Sequence, residues 1–598
     1  MNSARIIKSI AIACCSLLAV AIIVAINNPA RGYEMSIYKA TPAMVWVVIT
    51  LSILAGVGII AHQVYHRRED KSKMWAIGFL LVSFGFIVLL SVHVFRGYLY
   101  YGRADSTSHL AIVRDLVLQG RTYQQNIYPI THIYVAQLHL VWNISLTRLI
   151  SYLPIVFNSV YILSFLLLSR TILPAKRQVI LASTAGIFLL VAVFGSVYSD
   201  PNQLANLLMP LAFSLCIRRL AKYDPVELQI TVLFLIMVFL IPPFHVVSAF
   251  ALWLALVSLP LPKRLYVAIF RNKQTSRGYP FLMSTIVLFV WAISWISSFY
   301  AWEVTVKNIY TSLTVGGPSW ASQLEDQMLA ASLYGYSWME QFLKVYSTAA
   351  VYGLMAIVSF PLVLRRLNRG VRLDGILALY GPLVVYAGAL LVLYSLRLGF
   401  TPTRLVVYGM ILCTVFVGFF VDEIMERARK TSRPARMVLW SVAVIMAALL
   451  VNSVLKAYPS PYTLWGNDQP TLSEPGGFSW FVTHREGTMG VVTLTLPIDR
   501  LVRLLPQPTD VGKDISRVPY HFNYDQGSTA LGSFYSEDRY MLLNQLDRLQ
   551  YVELLPQMAQ FRFYPGDFAR LEDDATLDKV YLNGGLDVWY IHGTRAGL

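Results

Sequence analysis

The chain has 598 residues, 56% of them apolar and 14% charged, with a mean hydropathy of +0.55. A soluble domain carries about a quarter charged residues, so most of this chain is solvated by lipid. The net charge of +16 would suit a nucleic-acid partner, but its distribution excludes one: the basic residues fill short loops between apolar runs, while the tail after Ala457 is acid-rich.

Crossing a hydrocarbon core of roughly 30 Å takes about 20 apolar residues. Thirteen such runs are read, near 8–27, 43–65, 74–95, 150–170, 179–197, 203–217, 228–242, 244–260, 280–300, 346–364, 374–394, 404–421 and 437–456. Those at 203–217, 228–242 and 244–260 are short, and Pro242-Pro243 marks either a kink or a turn. No small-x-small cleavage site precedes Asn27-Asn-Pro-Ala-Arg31, so the first run is expected to stay as an anchor. Cys14, Cys15, Cys216 and Cys413 all fall within runs, which leaves neither a disulfide framework nor a CxxC metal site.

Lys and Arg concentrate in every second connection, for example Arg67, Arg68, Lys71 and Lys73, then Arg365, Arg366, Arg369 and Arg372. The positive-inside rule then puts the N-terminus in the cytoplasm and the C-terminus outside. The expected organisation is an N-terminal transmembrane hairpin (1–73), a membrane core (74–456) with long outer loops at 96–149 and 301–345, and a soluble extracytoplasmic domain (457–598). In that tail, the alternating runs 490–496 and 585–591 predict strands and 538–555 predicts a helix, a mixed α/β domain.

The first outer loop holds Gly102-Arg-Ala-Asp-Ser-Thr-Ser-His-Leu-Ala-Ile-Val-Arg-Asp115. Its apolar spacing and Gly120 predict a surface helix with Asp105 as N-cap, and put Asp105 and His109 on one face. Asp105 is either this cap alone or a general base or metal-orienting carboxylate, with Arg103, His109 and Arg114 beside it. Three more outer turns bring polar groups to the same side. Asp200, in Tyr198-Ser-Asp-Pro-Asn-Gln203, is either an Asx-Pro turn or a second acid. His245 follows Pro242-Pro243, as a structural hydrogen-bonding group or a site residue. Arg397 and Arg404 flank Gly399-Phe-Thr-Pro402, either snorkelling at the interface or binding phosphate. In the 301–345 loop, Tyr334, Tyr336, Trp338 and Phe342 suit the membrane interface or a sugar face.

This layout resembles the GT-C superfamily of integral-membrane glycosyltransferases, which includes oligosaccharyltransferases and protein mannosyltransferases. The resemblance rests on an acid at the start of the first large outer loop (Asp105), a second in the next (Asp200), a long later loop, an outward Arg near the last spans and an outer C-terminal domain. It implies a GT-C-like fold and sugar transfer from a polyprenyl-phosphate-linked donor to a glycan, lipid or protein acceptor at the outer face. It further implies Asp105 as catalytic carboxylate, Asp200 as a second acidic or metal-linked group, Arg397 or Arg404 on the donor phosphate, and His109 and His245 as supporting donors; a divalent metal ion is left open. Trp-Trp-Asp-Tyr-Gly is absent, which disfavours transfer of a whole glycan to an Asn sequon, and no paired Asp-Glu supports a Ser/Thr protein acceptor. Two other classes stay open: a transporter of lipid-linked sugars, disfavoured by spans almost free of charge and by the lack of a two-fold repeat, and a membrane-anchored scaffold. A Walker phosphate loop and HExxH are both missing.

Overall fold

The computed structural model describes residues 3–67, 69, 72–192, 195–220, 227–270, 282–316, 331–333, 335–395, 403–430, 433–486, 489–505, 515–527 and 530–594. The chain is a bundle of apolar helices followed by a small mixed α/β domain. A helix stands at each of the thirteen expected runs. Among the described residues, eight helices are long and apolar enough to cross a membrane, or nine if one bent pair counts as a single span. The expected thirteen crossings are not confirmed, since helices such as Met74–Leu90 and Leu228–Phe244 are apolar but shorter than those eight.

Lipid gives no hydrophobic drive for helices to associate, so close approach depends on small residues. Ala43–Tyr65 and Met74–Leu90 meet at Gly56 and Gly78, where a Cβ on either glycine would lie within 2.8 Å of the other's carbonyl oxygen. Thr403–Arg429 runs through the middle of the bundle, with 83% of its apolar window buried. Leu282–Ser297 and Tyr300–Val315 form the bent pair, 97° apart. Tyr300–Thr311 buries no residue, as expected of a helix lying along an interface.

The ends of the helices sort onto two faces. On one, Arg177 reaches Asp422 (3.2 Å) and Glu426 (2.6 Å), Arg429 also meets Glu426, Arg366 meets Glu423, and Lys263 meets Asp374. These are the loops expected to be basic and cytoplasmic. The opposite face carries the surface helix Asp105–Gln119, the turn at Asp200, and the C-terminal domain.

That domain is built on a five-stranded sheet: β1 (Gly490–Thr493), β2 (Ile515–Arg517), β3 (Arg539–Asn544), β4 (Leu577–Leu582) and β5 (Leu586–Ile591), in the order β2-β1-β3-β5-β4. β1 pairs parallel with β2 and β3, and β5 pairs antiparallel with β3 and β4. The expected helix over 538–555 is corrected here: Arg539–Asn544 is the central strand, and helix begins only at Gln545. Tyr540-Met-Leu-Leu-Asn544 is buried throughout, and a short continuous apolar run does not distinguish a doubly covered strand from a buried helix. Asn544 ends the strand with a capping box to Asp547. The connection after the first helix also belongs to this domain: Tyr33 and Met35 lie in its core, and the Tyr33 hydroxyl donates to the Asn467 carbonyl (2.9 Å).

Candidate active site

Asp105–Gln119 begins one residue earlier in its capping than expected. The N-cap position is Ala104, which makes no side-chain cap, and Asp105 is the first helical residue. Its carboxylate is thereby not consumed as a cap; it still benefits from the positive end of the helix. Gly120 closes the helix in the left-handed conformation (φ +66°), donating its N–H to the Leu116 carbonyl. Asp105 is exposed, with Arg500 3.3 Å away, and Arg500 also donates to Ser108 (3.2 Å).

Asp200 comes to the same helix. Ser106 Oγ donates to its carboxylate at 2.7 Å. Gly102 makes room for this bond: it sits at φ +107°, and a Cβ there would fall 2.3 Å from Ser106 Oγ. Its N–H donates to the Asp468 carbonyl, and the Asp468 carboxylate accepts from Tyr198 (2.9 Å). Asp105, Asp200 and Asp468 therefore act on one another. Burial, reinforced by the negative charges of Asp105 and Asp468 and opposed by the Ser106 bond, pushes the Asp200 carboxyl up to about 7. Burial raises Asp468 as well.

His109 is held by a relay. Tyr128 donates its backbone N–H to Asn126 Oδ1 (3.2 Å), which fixes the orientation of that amide. His132 Nδ1 lies 3.0 Å from the same oxygen and must therefore be its donor. His132 Nε2 is then an acceptor, and His109 Nδ1, 3.0 Å away, donates to it. Burial lowers His109 to about 4 and His132 to about 3, so both rings are neutral at pH 7. The consequence is a free lone pair on His109 Nε2, one helical turn from Asp105.

His245 takes the opposite role. It caps Val246–Ser258, its Nδ1 accepting the Ser248 backbone N–H (3.3 Å), which leaves Nε2–H as a donor. Ser248 Oγ in turn lies 2.8 Å from the Tyr408 hydroxyl. The Tyr128 ring faces His245 at 5.4 Å. The Tyr128 hydroxyl is raised by burial, and it feels both the positive field of Arg404 and the negative field of Asp105. Arg404 thus shares this region with Asp105 and His245, whereas Arg397 lies outside the described residues.

Arg103 and Arg114, expected beside Asp105 as substrate ligands, are engaged elsewhere. Arg103 is buried against Glu474 at 2.7 Å, and its charge only partly offsets the burial that pushes Glu474 up to about 7. Arg114 donates to the backbone carbonyls of Arg503, Leu504 and Leu505 and pairs with Asp115 (2.6 Å). Both tie the first outer loop to the C-terminal domain, a role that becomes visible only when residues nearly 400 apart in sequence meet. Arg500, Asn126, His132 and Asp468 were missed by sequence reasoning. His132 lies in the helix Pro129–Trp142 among other polar residues, Thr131, Gln137 and His139, and carried no signal of its own.

Among the described residues no three His, Cys, Asp or Glu side chains converge in a way that would hold a metal ion. Asp200 uses one carboxylate oxygen on Ser106 and Asp105 is turned to Arg500, so the two do not by themselves make a cation site. What the arrangement offers is a carboxylate, an imidazole lone pair, an imidazole N–H and guanidinium groups in one region.

No protein-family model and no curated protein matches the chain. Among solved structures, it is similar to ArnT from Cupriavidus metallidurans bound to undecaprenyl phosphate, at 11% identity and a TM-score of 0.43, covering 88% of this chain and 99% of that one. It is also similar to the arabinofuranosyltransferase AftD from Mycobacteria, at 13% identity and a TM-score of 0.45, covering 88% of this chain and 40% of that one.

Proposed function

We propose that the chain is an integral-membrane glycosyltransferase of the GT-C type, moving a sugar from a polyprenyl-phosphate-linked donor to a glycan, lipid or protein acceptor at the extracytoplasmic face. In this reading the N-terminus is cytoplasmic, residues 1–73 form a hairpin ahead of the core at 74–456, and residues 457–598 lie outside. The observation that carries it is the split of proton acceptors and donors across one site: Asp105 and the His109 Nε2 lone pair against His245 Nε2–H and Arg404.

The chemistry follows from that split. An acceptor hydroxyl gives its proton to Asp105 as its oxygen bonds to the anomeric carbon. The bond from that carbon to the phosphate oxygen breaks, and the electron pair leaves with the polyprenyl phosphate. Arg404 and His245 Nε2–H stabilise the charge arriving there, and Arg500 adds a second guanidinium beside Asp105. Asp200, held by Ser106 and raised by burial, is the second acid near Asp105.

The test uses the full chain in membranes supplied with a radiolabelled polyprenyl-phosphate sugar, following release of polyprenyl phosphate. Asp105→Asn is expected to lower turnover by about 100-fold or more while the protein accumulates and unfolds at the same temperature. Full turnover by that variant would remove Asp105 from the mechanism.

A further inference from the structure

A second site lies in the C-terminal domain, away from the residues described above. A cleft of about 630 Å³ opens where β1 and β2 end. Leu494 and Thr495 line it just beyond β1, and Arg517, the last residue of β2, lines it from the neighbouring strand. These strands run parallel. The carboxyl ends of parallel strands are where connecting loops part and α/β domains bind ligands. Tyr520, Tyr551 and Arg562 form the facing wall.

The charge of this cleft is unlike that of the domain around it. The tail from Ala457 has seventeen Asp and Glu against eleven Lys and Arg, yet no carboxylate is among the described residues lining the cleft, and two arginines are. In the same domain Arg548 pairs with Asp587 and Lys579 with Glu572. Arg562 instead lies over the half-exposed Tyr520 ring, 4.3 Å from its centre. Stacking of that kind holds the guanidinium plane while leaving its edge N–H groups to bind an anion.

The backbone that sets this pair is strained. His521, Phe522 and Asn523 are three consecutive non-glycine residues at φ +51°, +49° and +65°. Left-handed conformations of bulky residues persist only where their surroundings impose them, and they gather at binding sites. Here the His521 N–H donates to the Arg562 carbonyl (2.7 Å), the His521 ring meets Asp567 (2.8 Å), and Phe522 is fully buried against Phe563. The strained turn thus locks the backbone beside Tyr520 to that of Arg562.

We propose that this cleft binds an anionic saccharide, a sugar bearing a carboxylate or a phosphate, with Arg517 and Arg562 on the anion. The volume far exceeds that of a bare anion, and the walls alternate apolar surface with hydroxyl and amide groups, as a pyranose requires. The cleft is also linked to the other site. The segment that leaves it at Thr495 carries Arg500 to Asp105 and presents the carbonyls that hold Arg114. The binding of an anionic saccharide assigned here stands apart from the transfer reaction.

The experiment is calorimetric titration of the full-length protein in lipid nanodiscs with digalacturonate and with glucose 6-phosphate, using maltose and inorganic phosphate as comparisons. Saturable binding of at least one anionic sugar is expected, at least tenfold tighter than maltose and than phosphate. Arg517→Ala with Arg562→Ala should weaken it by tenfold or more at an unchanged unfolding temperature, and Asp105→Asn should leave it intact. Should the double variant fail to fold, Arg517→Ala alone decides, because that side chain is exposed. No saturable binding of either anionic sugar, equal binding of maltose or phosphate, or undiminished binding by the folded arginine variant overturns the proposal.

Discussion

At one end of the bundle Arg177, 18% exposed, lies within 3.2 Å of Asp422 and 2.6 Å of Glu426, with Glu69 at 3.7 Å, and Gln178 donates to Asp422 besides. At the other end Asp105 is 63% exposed, and its described cationic partner, Arg500, stands off at 3.3 Å. Both ends gather charge where apolar helices stop. The first encloses its carboxylates around a shared cation, an arrangement that fixes how helices join. The second leaves a carboxylate accessible, sets a second carboxyl near neutrality and orients two imidazoles in opposite senses. Enclosed charge holds elements together; accessible charge with displaced proton affinity is available for chemistry.

The largest effect that would break this contrast is at the enclosed end. Arg177→Ala strands Asp422 and Glu69, each 4% exposed, and is expected to cost about 3 kcal/mol of stability, read as a lowered unfolding midpoint in detergent. Donor turnover per folded molecule should stay as in the wild type; a loss of turnover instead would mean that the two ends are coupled.

At the accessible end, Asp200 gives a pH signature. Its folded value of about 7 lies above the ordinary 3.8, so the native state holds the proton more tightly. Its contribution to stability is full below 3.8 and is lost as pH rises through 7. Asp200→Asn should flatten that fall by an amount on the order of 1–2 kcal/mol after allowance for solvent screening. Glu474, also at about 7, should retain its share of the slope. An unaltered slope in the Asn variant would show that Asp200 titrates like a solvated carboxyl.

Next in size is the relay. His132→Ala frees the His109 ring and is expected to lower kcat/KM about tenfold per folded molecule, near 1.4 kcal/mol. Asn126→Asp keeps an acceptor for His132 and should retain more activity than Asn126→Leu; equal activity in the two would dissolve the tautomer argument. Smallest is Arg500→Ala. As an exposed pair it should alter stability by about 0.5 kcal/mol or less, while raising KM for the lipid donor several-fold. A stability loss as large as that of Arg177→Ala would erase the distinction between the two ends.

Much of the fold was legible because its signals are local. Apolar runs need only their own length and composition, and helices stand at all thirteen places where such runs occur. Gly120 announced the end of the surface helix because a left-handed C-terminus favours glycine wherever it sits. Arg539–Asn544 was misread because its two faces are buried by groups distant in sequence, Met541 and Leu543 in a cluster with Phe563 and Phe568, Tyr540 and Leu542 in one with Phe478 and Phe481. Arg103 and Arg114 looked available because the groups that engage them, Glu474 and the carbonyls of 503–505, come from the far end of the chain.

The sequence by itself determined that this is a lipid-solvated chain of helices with an acid-rich mixed α/β tail, and it singled out Asp105, Asp200, His109, His245 and Arg404 as polar groups at the ends of apolar runs. Those are properties of composition and order, written along a single stretch of chain. Only the tertiary structure decided which of them act together. Ser106 reaches Asp200 across 94 residues, Arg500 reaches Asp105 across 395, and the proton positions on His109 and His245 depend on Asn126 and Ser248. Proton affinity and hydrogen-bond sense are set by distance and dielectric surroundings, and these exist only once the chain has folded.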